Sequence, residues 1–307
     1  MKKKAFLANP KNKQKFLYFI GSELQKAGVE LYHSAGDADF NIVSTACPMA
    51  RRSMVVVGDD TDPLVLLLHH LSPEHHVIFL QTASKILNIR ILQDHLDPKR
   101  TASLLFLHAI TGCDTTSRLY SIGKVMAMNK CHQLMDSASL FMKPNQSHDD
   151  VNKHGQATLE VLYNSKSGNS LDFERVDRFS SKVASRLVYL PPESLPPTYD
   201  AAKHHSYRVY HQVQTWLGNS LDPTKWGWVL HKGQHEDCLK LVRMQRDANL
   251  GFQKFFYPSG CCSSILAEAS QMQLPRKVRQ KDLFLSQEWT AVHPGLWSVQ
   301  GNHVHQY

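Results

Sequence analysis

The chain has 307 residues, of which 42% are apolar, enough for one large domain or two smaller ones. Its formal net charge is +8 before any of its eighteen histidines takes a proton, an excess that suits a polyanionic partner such as nucleic acid. Six cysteines, with only Cys261 and Cys262 adjacent, exclude a disulfide scaffold and fit a reducing compartment.

No run reaches the ~18 consecutive apolar residues of a membrane helix, and Asn9 with Pro10 interrupts any apolar core of a signal peptide. The expected setting is nuclear or cytoplasmic, not secreted, with no membrane partner. Lys2 to Lys4 read as an exposed end or a weak nuclear signal.

In chain order, Pro10 suits a first helical turn, and Phe16, Leu17, Ile20 and Leu24 follow at helical spacing until Gly28. VELYH (29–33) reads as a short strand. DADFNIVSTA (37–46) reads as a helix with Ala38, Ile42, Val43 and Ala46 inward. MVVVG (54–58) is an unbroken β-branched run, as in buried parallel strands. Pro63 does not suit a central strand but is acceptable as the first residue of a helix carrying Leu64, Val65, Leu67 and Leu68 into the core. HVIFLQ (76–81) and KILNIRIL (85–92) read as further strands, compatible with a hairpin. KRTASLLFLHAITG (99–112) reads as a helix. The alternation predicts an α/β domain over residues 1–145.

Residues 146–248 change character. A polar connection leads into a helix at HGQATLEVLYN, a proline break follows at 190–197, and a long helix spans 201–218. Tyr207, Tyr210, Val213, Trp216 and Leu217 lie near one face of that helix. This region is expected to be a helical extension. Over 249–307 periodicity fades around the basic cluster LPRKVRQKD, and a poorly ordered basic tail is expected.

The aspartates fall in a pattern. Asp37 and Asp39 follow the first expected strand, Asp60 and Asp62 follow MVVVG, and Asp114 follows the helix ending at Gly112. The carboxyl ends of parallel strands share one edge, where sites gather. Hard divalent cations take oxygen ligands, and two such ions activate a water and stabilise a leaving oxygen in phosphodiester cleavage. The plainer reading is that Asp37 and Asp60 cap helices and the others are solvated loop residues.

AGDADFNIVSTA, VVVGDDTDPLVLLL and LHAITGCDTTSRLYSIGK together resemble the flap-endonuclease branch of the PIN-like nucleases. They are most similar to its divergent relatives in transposon-associated open reading frames of animals. The resemblance covers about residues 10 to 130. It implies a PIN/flap-endonuclease-like parallel sheet flanked by helices, with Mg²⁺ or Mn²⁺ held by Asp37 and Asp39 of DAD, Asp60 and Asp62 of DTD, and Asp114. These five would be the catalytic set. It further implies that the turn after Asp114 holds the nucleic-acid backbone, through Thr115, Thr116, Ser117 and the tripeptide Ser121-Ile122-Gly123, with Lys124 on a phosphate. The family has Gly-Ile-Gly there, and a position needing φ > 0 suits serine less than glycine. An exposed helical lysine is the plainer reading of Lys124.

Family members also begin with another strand that supplies a further catalytic Asp. Here nothing acidic precedes Glu23. The sheet is therefore expected to be incomplete at its N-terminal side and catalysis impaired, as in a truncated or decayed copy. The functional expectation is a divalent-metal-dependent nuclease-like protein acting on or binding DNA or RNA. The alternative is a non-catalytic nucleic-acid-binding or protein-interaction remnant of a mobile element. Protein partners are not legible.

Other candidates are weaker. Paired histidines at 69–70, 75–76 and 204–205 point in different directions and make poor zinc sites. His231, His235 and Cys238, with Cys261 and Cys262, lack a Cys-x-x-Cys. Trp226 and Trp228 suit stacking on bases or, more simply, packing beside the long helix.

Overall fold

The computed structural model describes residues 6–32, 34, 38–165, 170–185, 190–231 and 238–241. Asp37, the expected tail at 249–307, and His235, Cys261 and Cys262 lie outside the described residues, as do the side chains of His231 and Cys238. The chain is α/β and divides after Leu92 into two compact units.

In the first unit, helix α1 (Pro10–Lys26) starts where the Asn9 side chain accepts the Lys11 and Asn12 amides and Pro10 fixes the first turn. The strand expected at 29–33 does not form over 29–32, which are irregular. Tyr32 is exposed there, and an extended segment without a neighbouring strand has no ladder to hold it. Helix α2 (Ala38–Met49) follows and buries Val43 and Cys47. Strand β1 (Met54–Val57) leads into helix α3 (Thr61–His70), which packs on α2. Helix α3 starts two residues before Pro63, which sits in its first turn, where its missing N–H leaves no bond unmade. Leu66 and Leu67 of α3 are fully buried, while Leu64 and Val65 are only half-buried.

Strand β2 (Ile78–Gln81) pairs in parallel with β1, setting Met54 beside Ile78 and Val57 beside Gln81. Strand β3 (Ile86–Asn88) returns antiparallel to β2, so the sheet is mixed rather than all-parallel. The strand expected over 85–92 stops at Asn88. Its side chain accepts the Ile91 amide at 3.1 Å and starts helix α4 (Ile89–His95) instead.

The second unit holds helices α5 (Pro98–Ile110), α6 (Lys124–Asn129), α7 (Met135–Met142), α8 (His148–Leu162), α9 (Leu171–Ser185) and α10 (Tyr199–Trp216). A hairpin of β4 (Trp228–His231) and β5 (Cys238–Leu241) follows. Asp97 caps α5 by accepting the Arg100 amide at 2.9 Å. Every residue of α5 from Ser103 to Ile110 is buried, the pattern of a central helix. It packs on α7 and α10, and α10 packs on α8. Phe106 of α5 lies 4.7 Å from Phe141 of α7, ring centre to ring centre, and Phe141 lies 6.0 Å from Tyr210 of α10.

The polar stretch near residue 145, read from sequence as a domain boundary, connects α7 and α8 within this unit. The Tyr210 hydroxyl pins it by donating to the Lys143 carbonyl (3.0 Å) and accepting the Gln146 amide (3.1 Å). Beyond it, the described residues form helices α8, α9 and α10 and the β4–β5 pair.

Candidate metal and nucleic-acid site

Asp60 and Asp62 stand directly beyond the carboxyl end of β1. The Asp60 carboxylate accepts the amides of Thr61 (2.6 Å) and Asp62 (3.4 Å), so it caps α3. Asp62 lies in the first helical turn and is only 6% exposed. Asp39 occupies the first turn of α2 and is half-buried. Carboxylates at helix N-termini meet the positive end of the helix dipole, which offsets part of the cost of their charge.

The sequence reading missed Asp59. Its carboxylate accepts the Ala83 amide at 2.6 Å, and the Gly58 amide donates to the Gln81 carbonyl at 2.9 Å. Together these two bonds tie the loop after β1 to the turn after β2. The acidic loop is thereby fixed at one end of the parallel pair. The signal available in sequence was the doublet Asp59-Asp60 after a β-branched run; nothing local shows which of the two faces the neighbouring turn.

Asp114 belongs to the second unit and is exposed, in the turn after α5. Gly112 holds φ +109°, and a Cβ there would sit 2.7 Å from the Arg118 Cα, so only glycine fits. Thr116 Oγ1 accepts the Cys113 amide at 2.9 Å and donates to the Ala109 carbonyl at 2.7 Å. Cys113 Sγ lies 3.2 Å from Thr116 Oγ1 and 3.4 Å from Thr115 Oγ1. The Thr115 hydroxyl donates to Gln212 Oε1 at 2.6 Å, joining the turn to α10. Ser117 is half-buried.

Further along, Ser121 has φ +59°, the left-handed conformation that favours glycine. Ile122 is buried, and Gly123 is extended at the start of α6. Lys124 Nζ donates to the carbonyls of Gly112 (2.7 Å) and His108 (3.3 Å). Its charge lies against the negative end of α5. Within this structure the turn therefore uses the Thr115, Thr116 and Lys124 groups to hold itself on α5 and α10.

Among the described residues no three His, Cys, Asp or Glu side chains come together as a group that could hold a metal ion. Trp226 is buried against α10, stacked on His148 at 4.3 Å and 4.6 Å from Tyr210, while Trp228 is half-buried in β4. His205 is buried, with Nε2 donating to the Ile110 carbonyl at 2.9 Å. Burial, and then the neighbouring Arg208 charge, lower its pKa to about 4. Among the described residues no helix is long and apolar enough to cross a membrane.

The chain matches no protein-family model, no curated protein and no solved structure.

Proposed function

We propose that this protein is a nuclease-like, nucleic-acid-binding protein, similar in kind to the flap-endonuclease branch of the PIN-like nucleases. Asp60 and Asp62 are the carboxylates of the first unit proposed to take Mg²⁺ or Mn²⁺; Asp39 is added on its motif alone, because no three such side chains gather among the described residues. The supporting observation is the position of Asp60 and Asp62 just beyond the carboxyl end of β1, a strand paired in parallel with β2. That edge is where open α/β sheets place ligands. The order of the DAD, DTD and GCD motifs adds to the reading, and the net charge of +8 favours a phosphate backbone. Asp37 stays in the proposal on its motif alone, and Asp114 as a residue of the second unit, tested by itself.

Thermal melting of the full chain in EDTA, Mg²⁺ and Mn²⁺ tests the metal. Asp60→Asn is the informative variant, because asparagine caps a helix as well as aspartate while removing the charge a metal needs. Metal is expected to raise the melting temperature of the wild type and not that of the variant. Identical responses would remove Asp60 from the ligand set. In a flap-cleavage assay, equal activity of wild type and Asp114→Ala would likewise remove Asp114.

The second reading is a non-catalytic nucleic-acid-binding or protein-interaction module. It is favoured by the way the polar groups are spent, with Asp60 capping α3 and Lys124 held by carbonyls of the α5 end. Salt-dependent binding of a labelled flap DNA, without cleavage in either metal, is the outcome that selects it.

A further inference from the structure

Helix α1 (Pro10–Lys26) turns its aliphatic side inward: Gly21 is buried, and Leu17, Ile20 and Leu24 are half-buried. Its outer side mixes two kinds of side chain. Tyr18 and Phe19 are 54% and 62% exposed. Lys11, Lys15 and Lys26 are exposed on the same side. At 3.6 residues per turn, Tyr18, Lys11, Lys15, Lys26 and Phe19 follow one another round an arc of about 100°. An exposed ring thus closes each edge of a row of lysines.

The charge of this segment has one sign. Residues 1–22 hold Lys2, Lys3, Lys4, Lys11, Lys13 and Lys15 and no acidic residue. The one carboxylate of α1, Glu23, pairs with Lys26 at 2.8 Å. The first turn of α1 has no acidic side chain, although the helix dipole stabilises anions there and disfavours cations. Three of the lysines crowd that end instead. Asn9 already accepts the Lys11 and Asn12 amides, so the charged surface is the side-chain face and not the helix terminus.

We propose that the outer face of α1 binds single-stranded nucleic acid, with its lysines on phosphates and Tyr18 and Phe19 stacked on bases. A polyanion offsets the repulsion among the lysines and their misfit with the dipole. Exposed rings beside cations are the combination that single strands use, because every unpaired base offers a face to stack on. A duplex keeps its bases stacked on one another and leaves these rings without a partner. An anionic membrane surface fits less well. A helix lying in that interface separates an apolar side from a charged one, whereas α1 turns its aliphatic side inward and sets its rings beside its lysines. From Lys11 to Lys26 the face is about 22 Å long at the helical rise, enough for the roughly four nucleotides of the smallest single-strand sites. The surface rests on the nucleic-acid reading above but uses none of the carboxylates or turn residues named there.

Fluorescence anisotropy of the full chain with a labelled oligothymidylate of about 15 nucleotides tests it, in EDTA so that metal plays no part. Binding is expected to weaken as salt rises. Lys15→Glu and Phe19→Ala change exposed side chains, so the melting temperature stays as in wild type while each weakens binding about tenfold. The two losses differ in kind. Lys15→Glu lowers the slope of log affinity against log salt, whereas Phe19→Ala leaves that slope alone and Phe19→Trp keeps the affinity. Binding unchanged in both Lys15→Glu and Phe19→Ala overturns this surface and leaves the nucleic-acid reading standing, whereas a wild type that binds no nucleic acid removes both. Equal affinity for the matching duplex, or tighter binding to phosphatidylserine vesicles than to the oligonucleotide, also overturns the proposal.

Discussion

Ser121 occupies left-handed backbone at φ +59°, where a Cβ costs about 1 kcal/mol relative to glycine. The turn therefore carries a small, removable strain. Ser121→Gly is expected to stabilise the protein by up to about 1 kcal/mol in urea unfolding, because relief of that strain outweighs the added freedom of the unfolded chain. An unchanged or lower midpoint would show that the serine fits the turn at no cost.

His205 carries the larger energetic consequence. Its Nε2 must bear the hydrogen donated to the Ile110 carbonyl, and Nδ1 is buried with no hydrogen-bond partner. A second proton would have nowhere to point and would sit in the field of Arg208. The unfolded chain takes that proton near pH 6.5, the buried ring only near pH 4. The contribution of His205 to stability is thus fully present above pH 6.5. It is lost as pH falls from 6.5 through about 4. The loss amounts to about 3 kcal/mol by pH 4. His205→Gln should flatten that limb of the stability-against-pH curve in urea unfolding, and a limb left unchanged would remove His205 as its source.

At the scale of elements, α8 and α10 approach so closely that Gly155 has no room for a side chain. A Cβ there would lie 1.9 Å from Ser206 Oγ and 2.4 Å from Ser206 Cβ. Rotating the hydroxyl relieves only the first of these. Gly155→Ala is expected to cost about 2 kcal/mol or more in urea unfolding. Adding Ser206→Gly should recover most of the loss despite the poorer helix propensity of glycine. Strictly additive single effects would argue against direct contact.

Long elements with strong punctuation were legible in sequence: Pro10 for α1, the β-branched run for β1, and the proline break before the long period of α10. Elements decided by a distant partner were not. VELYH has strand composition but meets no strand over 29–32. KILNIRIL is rich in isoleucine and leucine, yet Asn88 turns it into a helix after three strand residues. Helix α9 was missed because its apolar stripe is narrow and its charges dominate the window. The polar stretch at 143–147 looks like a linker until Tyr210, more than sixty residues away, is seen to bridge it.

For the whole molecule, the division after Leu92 places Asp39, Asp60 and Asp62 in one unit and Asp114 in the other. The sequence showed which acids follow which elements. It could not show that Asp60 would spend its oxygen on α3, or that Asp59 would reach the turn after β2. Those uses depend on what folds beside each residue. The same holds for Lys124, an exposed helical lysine on local pattern and a half-buried one in the fold.

Helix α10 packs against α5, a segment about a hundred residues earlier in the chain, and against α8 between them. Such distant pairings close late, because a long loop must be ordered before they reward it. During synthesis, α5, α7 and α8 emerge with Phe106, Phe141 and Gly155 uncovered, and wait for Tyr210 and Trp216. A chain that stops short of residue 199 thus keeps its sticky surface permanently open. The hydrophobic face built by α5, α7 and α8 becomes safe from aggregation only when α10 leaves the ribosome.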